Sequence, residues 1–548
     1  MQPAPPAPAG AQRTVRRLIV YGLLFVLVVI TAIGLAGLLE QVVDTRTPIA
    51  GGGPSDLALW LAFSLIGGPL AAILWWAVWR RLAEEAERTS LAWGLYVAAM
   101  YTVSLVVATA ALLAAAAGAV EGRWLPSEVA TGVVWAAVWA WHRWMSRHPL
   151  KGPVRMRTVP FVIASVYGLV LLVSGSVGAL GALFDEALLG AAAPPLAGAA
   201  WWQGVAESII TAAVGALIWW WHWFRDGTRG DRTGFAAVGL VAVGVLGGAA
   251  VSLTGAGTAI WVGLRLVFDR SESIGELLDP LGTALAAAVV GALVWRYHVR
   301  IAATRSDGTR RAADLVLSGL GLAAAASGIG VIVNATLGAL VSPLVADDTR
   351  TLLLGGIAAL AVGAPLWWWS WRPTRRLAPE EIAYQGRRVY LIAVFGISAV
   401  VALIALLVVG FRVFEFVLDS ATSASLVDRV RAPLGLLLAT ALVFAYHFAV
   451  WRRDRALIAE HGLAPVRRIG RVVLVAADDA AELVRAIEEA TGASVTVWRR
   501  EPLAGAPAPS TQGPDAAAVA AAFDGVAARR ALVLAGPGSR LEVVPLVD

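Results

Sequence analysis

Val205–Phe224 reads VAESIITAAVGALIWWWHWF, twenty residues with one carboxylate and a closing block of five aromatic rings around a histidine. About 20 apolar residues, at a rise of about 1.5 Å each, cross the hydrocarbon of a bilayer. This stretch therefore predicts a membrane-spanning helix that ends in an aromatic block. The block recurs as Trp75-Trp76-Ala77-Val78-Trp79-Arg80, Trp139-Ala140-Trp141-His142-Arg143-Trp144, Trp219-Trp220-Trp221-His222-Trp223, Trp295-Arg296-Tyr297-His298, Trp367-Trp368-Trp369-Ser370-Trp371-Arg372 and Phe444-Ala445-Tyr446-His447. Successive first aromatics stand 64, 80, 76, 72 and 77 residues apart, a near-constant period that indicates one copied structural unit.

Between the blocks the chain is apolar at spanning length. The runs are approximately Leu18–Leu39, Leu57–Trp79, Leu91–Ala119, Val129–Trp144, Val159–Leu183, Val205–Phe224, Phe235–Val267, Leu277–His298, Ala312–Val341, Leu352–Trp371, Val389–Leu418 and Pro433–Trp451. The expected fold is an all-α polytopic membrane protein. Twelve transmembrane helices form six tandem two-helix hairpin repeats, at about 16–88, 89–151, 152–231, 232–308, 309–380 and 381–455. Val129–Trp144 is marginal in length. The longer odd-numbered runs must tilt or project from the bilayer. Leu18–Leu39 is too long for a signal-peptide core, lacks a small-residue exit and precedes many similar runs, so it reads as the first span. Residues 1–15, rich in Pro and Ala, are expected to be a disordered tail.

Composition agrees. Of 548 residues, 58% are apolar and 15% charged, against about 25% charged in soluble domains. The net charge is +6, with Lys151 the one lysine. Most basic residues lie in short loops rather than on one soluble face, so no nucleic-acid partner is expected. The absence of cysteine excludes disulfides, thiolate catalysis and cysteine-held metals. On the side shared by the N-terminus and the even-run ends stand 27 basic residues before Pro465, while the opposite loops hold only Arg46, Arg123, Arg270, Arg350, Arg429 and Arg431. Because Lys and Arg in short loops stay cytoplasmic, both termini are expected inside a bacterial inner membrane. Of 24 tryptophans, 16 lie in the closing blocks, a one-sided aromatic belt led by Trp75, Trp139, Trp219, Trp295, Trp367 and Trp451.

Repeats that open like Arg387-Arg388-Val389-Tyr390-Leu391 and close like Pro365-Leu366-Trp367-Trp368-Trp369-Ser370-Trp371-Arg372-Pro373 resemble the bacterial multi-pass membrane proteins grouped as domain-of-unknown-function family 5671. The likeness covers roughly Arg16–Arg455. It implies the membrane architecture and brings no activity, substrate or site. The family's closing block has a histidine where this chain has Val78 and Ser370.

After a basic linker over 456–470 the composition turns water-soluble. Arg471–Ala476 alternates as a strand, Asp478–Thr491 has helical periodicity, and Ala493–Trp498 is a second strand. A loop from Glu501 to Gly513, a helix opened by Asp515, and two strands joined at Gly536-Pro537-Gly538-Ser539 complete a small cytoplasmic α/β domain of order β-α-β-α-β-β over 471–548. It contains no phosphate-cradling glycine motif and no nucleophile triad. Asp478 and Asp479 read as helix caps rather than metal ligands. Arg499, Arg500, Arg529 and Arg530 read as solvated surface, with anionic lipid or a partner as the alternative.

His142, His222, His298 and His447 occupy equivalent places and hence one expected depth. Equal depth is a precondition for haem ligation across a bundle. The preferred reading is interfacial anchoring, the rings satisfied by water, headgroups and terminal carbonyls; a proton, ligand or haem role competes with it. Arg265 lies four residues before Asp269, and Arg412 three before Glu415, so local pairing with outward snorkelling is expected. Asn334 suggests an interhelical hydrogen bond. Glycines crowding the odd runs (Gly175, Gly178, Gly181, Gly247, Gly248, Gly319, Gly321, Gly328, Gly330) suggest close inner helix contacts. No catalytic residue, metal site or cofactor is assigned. The expected function is a non-enzymatic scaffold or signal relay in the lipid bilayer, offering 471–548 to a cytoplasmic protein partner. A transporter or channel for a neutral or apolar solute is the alternative, and a haem-binding membrane protein the second.

Overall fold

The computed structural model describes residues 9–44, 54–190, 200–269, 271–341, 346–372, 385–418, 425–460, 469–476, 480–499, 516–524, 526, 528–535 and 541–546. Among the described residues, twelve long helices precede the sheet: α1 Ala9–Val43, α2 Ser55–Arg81, α3 Leu91–Val120, α4 Pro126–Arg147, α5 Val159–Leu189, α6 Trp201–Arg225, α7 Gly234–Phe268, α8 Ile274–Arg305, α9 Asp307–Val341, α10 Ala346–Trp371, α11 Gln385–Leu418 and α12 Leu426–Glu460. Among the described residues, eleven are long and apolar enough to cross a membrane. The exception is α4, the marginal fourth run. Its four tryptophans, His142 and Arg143 dilute its apolar character, although its 22 residues would reach across the hydrocarbon.

The helices begin and end for local reasons. Ser90 accepts a hydrogen bond from the backbone N–H of Trp93 and so caps α3; Thr233 caps α7 the same way through Ala236. Pro126 and Pro160 sit in the first turns of α4 and α5, where a missing N–H costs nothing. Gly227, in the left-handed region at φ 78°, turns the chain after α6. Two edges differ from expectation: α1 starts at Ala9, inside the anticipated tail, and α12 continues to Glu460, inside the anticipated linker. In both places helix-compatible residues extend a strongly nucleated apolar helix beyond its membrane-length core.

The chain divides into two compact units, Met1–Arg375 with Gly396–Phe444, and Arg376–Phe395 with Ala445–Asp548. In the first, each odd helix packs on its successor, making the hairpins α1–α2, α3–α4, α5–α6, α7–α8 and α9–α10. Each also touches the even helix of the next hairpin: α1 with α4, α3 with α6, α5 with α8, and α7 with α10. Gly330 against Gly435 continues the series from α9 to α12. The odd helices therefore hold the inner contacts, as their glycines suggest.

Three successive hairpins share one glycine pattern. A methyl group built on Gly168, Gly248 or Gly321 would collide with the backbone nitrogen of Trp219, Trp295 or Trp367. Seven residues on, Gly175, Gly255 and Gly328 press on Ala212, Ala288 and Leu360. From the opposite side, Gly215, Gly291 and Gly363 press on Leu172, Ser252 and Ala325. Only glycine permits backbones this close, and in lipid such contact is the main source of helix association.

In the second unit, Arg387 on α11 meets Asp454 on α12 at 2.8 Å, both side chains largely buried. The same unit holds a four-stranded sheet: β1 Arg471–Ala476, β2 Ser494–Arg499, β3 Arg530–Ala535 and β4 Leu541–Leu546, with helices α13 Ala481–Thr491 and α14 Ala516–Ala522. Spatial order is β2-β1-β3-β4, with β1 parallel to β2 and β3, and β4 antiparallel to β3. Val472, Leu474, Ala531 and Val533 form a core with Ile487 and Val519 of the helices. The order along the chain is the expected β-α-β-α-β-β. Asp478, Asp479, Arg500 and the loop over 501–513 lie outside the described residues.

Candidate functional site

The closing blocks have two faces. The first tryptophan of a block and the residue three later point the same way on a helix. Trp75, Trp139, Trp219, Trp295 and Trp367 are half-buried, and the residues three on, Val78, His142, His222, His298 and Ser370, are buried. Between them Trp76, Trp141, Trp220, Trp221, Trp368 and Trp369 are exposed, as lipid-facing belt residues are. In the last block Trp451 is half-buried and stacks on Phe448 at 5.6 Å.

The histidines are interior residues. His142, His222, His298 and His447 are at most 2% exposed, which corrects the expectation that water and headgroups satisfy them. Nδ1 of His142, His222 and His298 lies 2.7, 2.7 and 2.8 Å from the carbonyl oxygens of Val138, Ile218 and Val294, four residues back. A carbonyl only accepts, so Nδ1 carries the proton and the Nε2 lone pair of the neutral ring needs a donor. Tyr96 on α3 supplies it to His142 at 3.1 Å within a hairpin, and Tyr101 on α3 to His222 at 2.6 Å across hairpins. His447 packs edge-on against Tyr390. Ser370 preserves the first bond, its hydroxyl donating to the carbonyl of Leu366 at 2.7 Å.

His222 belongs to a wider polar cluster at the end of α6. Asp226, whose side chain is fully buried, receives Arg143 at 3.2 Å and also Arg147, both from α4. Arg143 donates onward to the hydroxyl of Tyr101 at 3.2 Å and lies over the rings of Trp139 and Trp221. Thr228 ties its hydroxyl to the carbonyl of His222, and Arg305 of α8 donates to the carbonyls of Thr228 and Arg229. Three hairpins are thus joined through one buried carboxylate and one loop. Sequence reasoning singled out His222 but not Tyr96, Tyr101, Arg143 or Asp226.

His298 differs from its counterparts. Its Nε2 has no protein donor among the described residues, and the ring borders a small cavity between α5, α6, α7 and α8. Gly244 leaves the room, since a methyl group there would strike the imidazole. The flanking segments Trp221–Arg225 and Leu240–Gly247 are π-helical, a widening often found at functional sites.

At the other end of the spans Arg265 and Arg412 make the expected local pairs, Arg265 with Asp269 at 3.4 Å and Arg412 with Glu415 at 2.9 Å. Arg265 does not snorkel. It is buried, lies over Trp261, and also binds Glu272 at 2.9 Å. Burial alone would push the Asp269 carboxyl up, but hydrogen bonds from Thr351, Ser271 and Arg265 outweigh it and hold the group below its ordinary range. Asn334 does not make the expected bond through Oδ1, which is buried without a hydrogen-bond partner among the described residues.

The family model described as Domain of unknown function (DUF5671) matches residues 17–140, 158–270 and 311–442, together about two thirds of the chain. The chain belongs to this family. The first and third DUF5671 matches each run through four helices, α1–α4 and α9–α12, and the second through α5–α7. No curated protein and no solved structure matches the chain.

Proposed function

We propose that this DUF5671 protein is a non-enzymatic scaffold or signal relay of the bacterial inner membrane. Its twelve helices cross the bilayer as six tandem hairpins with both ends cytoplasmic, and 471–548 is offered to a protein partner. The observation that carries this reading is the use made of polar side chains within the spans. His142 and His222 have both ring nitrogens engaged, one by their own helix and the other by a tyrosine of another helix. Such groups hold hairpins together rather than line a shared path. Haem ligation at either Nε2 would require breaking a tyrosine bond first. Deleting 465–548 tests the proposal: membrane insertion should persist while cross-linked cytoplasmic partners are lost. An unchanged partner set and phenotype would defeat it.

One observation favours the second reading, passage of a neutral solute. Thr254, Thr258 and Trp261 of α7, with Leu320 of α9 and Gly355 and Val362 of α10, line a mostly apolar groove of about 360 Å³. Solute flux in proteoliposomes that is blocked by Gly355→Trp would favour it, whereas lipid-like leak rates in both proteins would count against it.

A further inference from the structure

The cavity beside His298 occupies the place where a tyrosine hydroxyl sits in the neighbouring hairpin. His222, on α6, receives Tyr101 from α3. His298, on α8, faces α5, which packs on α8 as α3 packs on α6. On α5 the wall toward His298 includes Val162 and Ser165, neither of which reaches as far as a tyrosine hydroxyl. They line the cavity together with Trp219, Gly244 and His298.

The donors and acceptors left over match one another. Nε2 of His298 needs a proton donor, because Nδ1 already gives its hydrogen to Val294. The indole N–H of Trp219 is buried without an acceptor among the described residues. A species that donates to one and accepts from the other satisfies both, with the hydroxyl of Ser165 on the same wall. The space open to the centre of a water-sized sphere is about 20 Å³. One water needs on the order of 10–15 Å³ by this measure and two to four polar partners. The volume is too small for a haem or an organic solute.

We infer that this cavity is a binding site for one water molecule, which donates a hydrogen bond to Nε2 of His298 and accepts one from the Trp219 indole. The water replaces the hydroxyl that Tyr101 supplies to His222. An unpaired buried acceptor is costly, so the molecule is a fixed part of the fold rather than a transient visitor.

The test uses the full chain in lipid nanodiscs with ¹⁵N-labelled histidine. The chain has six histidines, and His298→Phe identifies the signal of interest. Water-proton transfer should reach His298 and not His222, whose Nε2 is held by Tyr101. In Val162→Tyr the introduced hydroxyl should displace the water, abolish the transfer at His298, and move its Nε2 shift toward that of His222. A wild-type His298 with a bare lone pair and no water contact overturns the inference. So does equal transfer at both histidines, or transfer at His298 that survives in folded Val162→Tyr protein. Should Val162→Tyr fail to fold, the wild-type contrast between His298 and His222 decides the matter alone.

Discussion

The hydroxyl of Tyr101 lies 2.6 Å from Nε2 of His222, a bond across 121 residues that joins the second hairpin to the third. Both groups are buried, so the bond fixes helix rotation as well as distance. Tyr101→Phe leaves an unpaired acceptor and removes an oxygen that Arg143 uses. It should lower stability by about 1 kcal/mol, within the range of about 0.6–2 found for interhelical bonds in membranes. Unfolding in mixed micelles measures it. Tyr101→Phe combined with His222→Phe should recover part of the loss, because removing both partners leaves no orphan. Additive losses would mean that the two residues act independently.

The glycine pattern makes a sharper contrast. Gly321→Val places a branched side chain against the Trp367 backbone and should destabilise by at least about 1–3 kcal/mol, the usual cost of overpacking. Gly263→Val, on the same class of helix but with open space around its Cα, should be tolerated. Folded yield after size-exclusion chromatography compares the two, and equal yields would remove the pattern's claim to hold the hairpins.

Arg387 and Asp454 form a buried pair at the matching ends of α11 and α12. Arg387→Met strands the carboxylate and should cost about 3–5 kcal/mol, whereas Arg387→Met with Asp454→Leu should restore most of it. Thermal melts of the two proteins give the comparison. A double variant no better than the single one would mean that the arginine acts through other contacts.

Much of this architecture was legible in the sequence, because hydropathy is a one-dimensional property. The spanning runs and the strand Arg471–Ala476 could be read directly. The fourth run read as marginal in length, yet at 22 residues α4 is long enough; what keeps it apart from the other eleven is its load of tryptophan, histidine and arginine. The Tyr–His pairs were not legible. Tyr101 is one of eight tyrosines, and nothing in its neighbourhood says which helix it faces. The histidines' common depth was read from their equivalent places in the closing blocks, yet a helix places adjacent residues on different faces, so Trp141 is exposed while His142 is buried. Glycine crowding was visible, but its targets, the tryptophan backbones, lie in the partner helix.

Asp269 carries a pH dependence of defined sign. Its carboxyl is held below the ordinary range in the folded protein, so its contribution is complete above about pH 5 and is lost progressively as pH falls below about 4. Asp269→Asn should flatten that acid limb and lower stability at neutral pH, where the Arg265 and Thr351 contacts to the carboxylate are lost or weakened. Melts of both proteins across the acid range report it. Parallel curves would show that some other carboxyl governs the limb.

Every hairpin is expected to cross the membrane and return, α3–α4 included. The chain has no cysteine, so single cysteines can be placed at will. Arg123, before α4, and Leu150, after it, are both exposed. Labelled with an impermeant maleimide in right-side-out vesicles, Arg123→Cys should react at once and Leu150→Cys only after permeabilisation. Equal reaction of both without permeabilisation would place the two ends of α4 on one side and contradict the account.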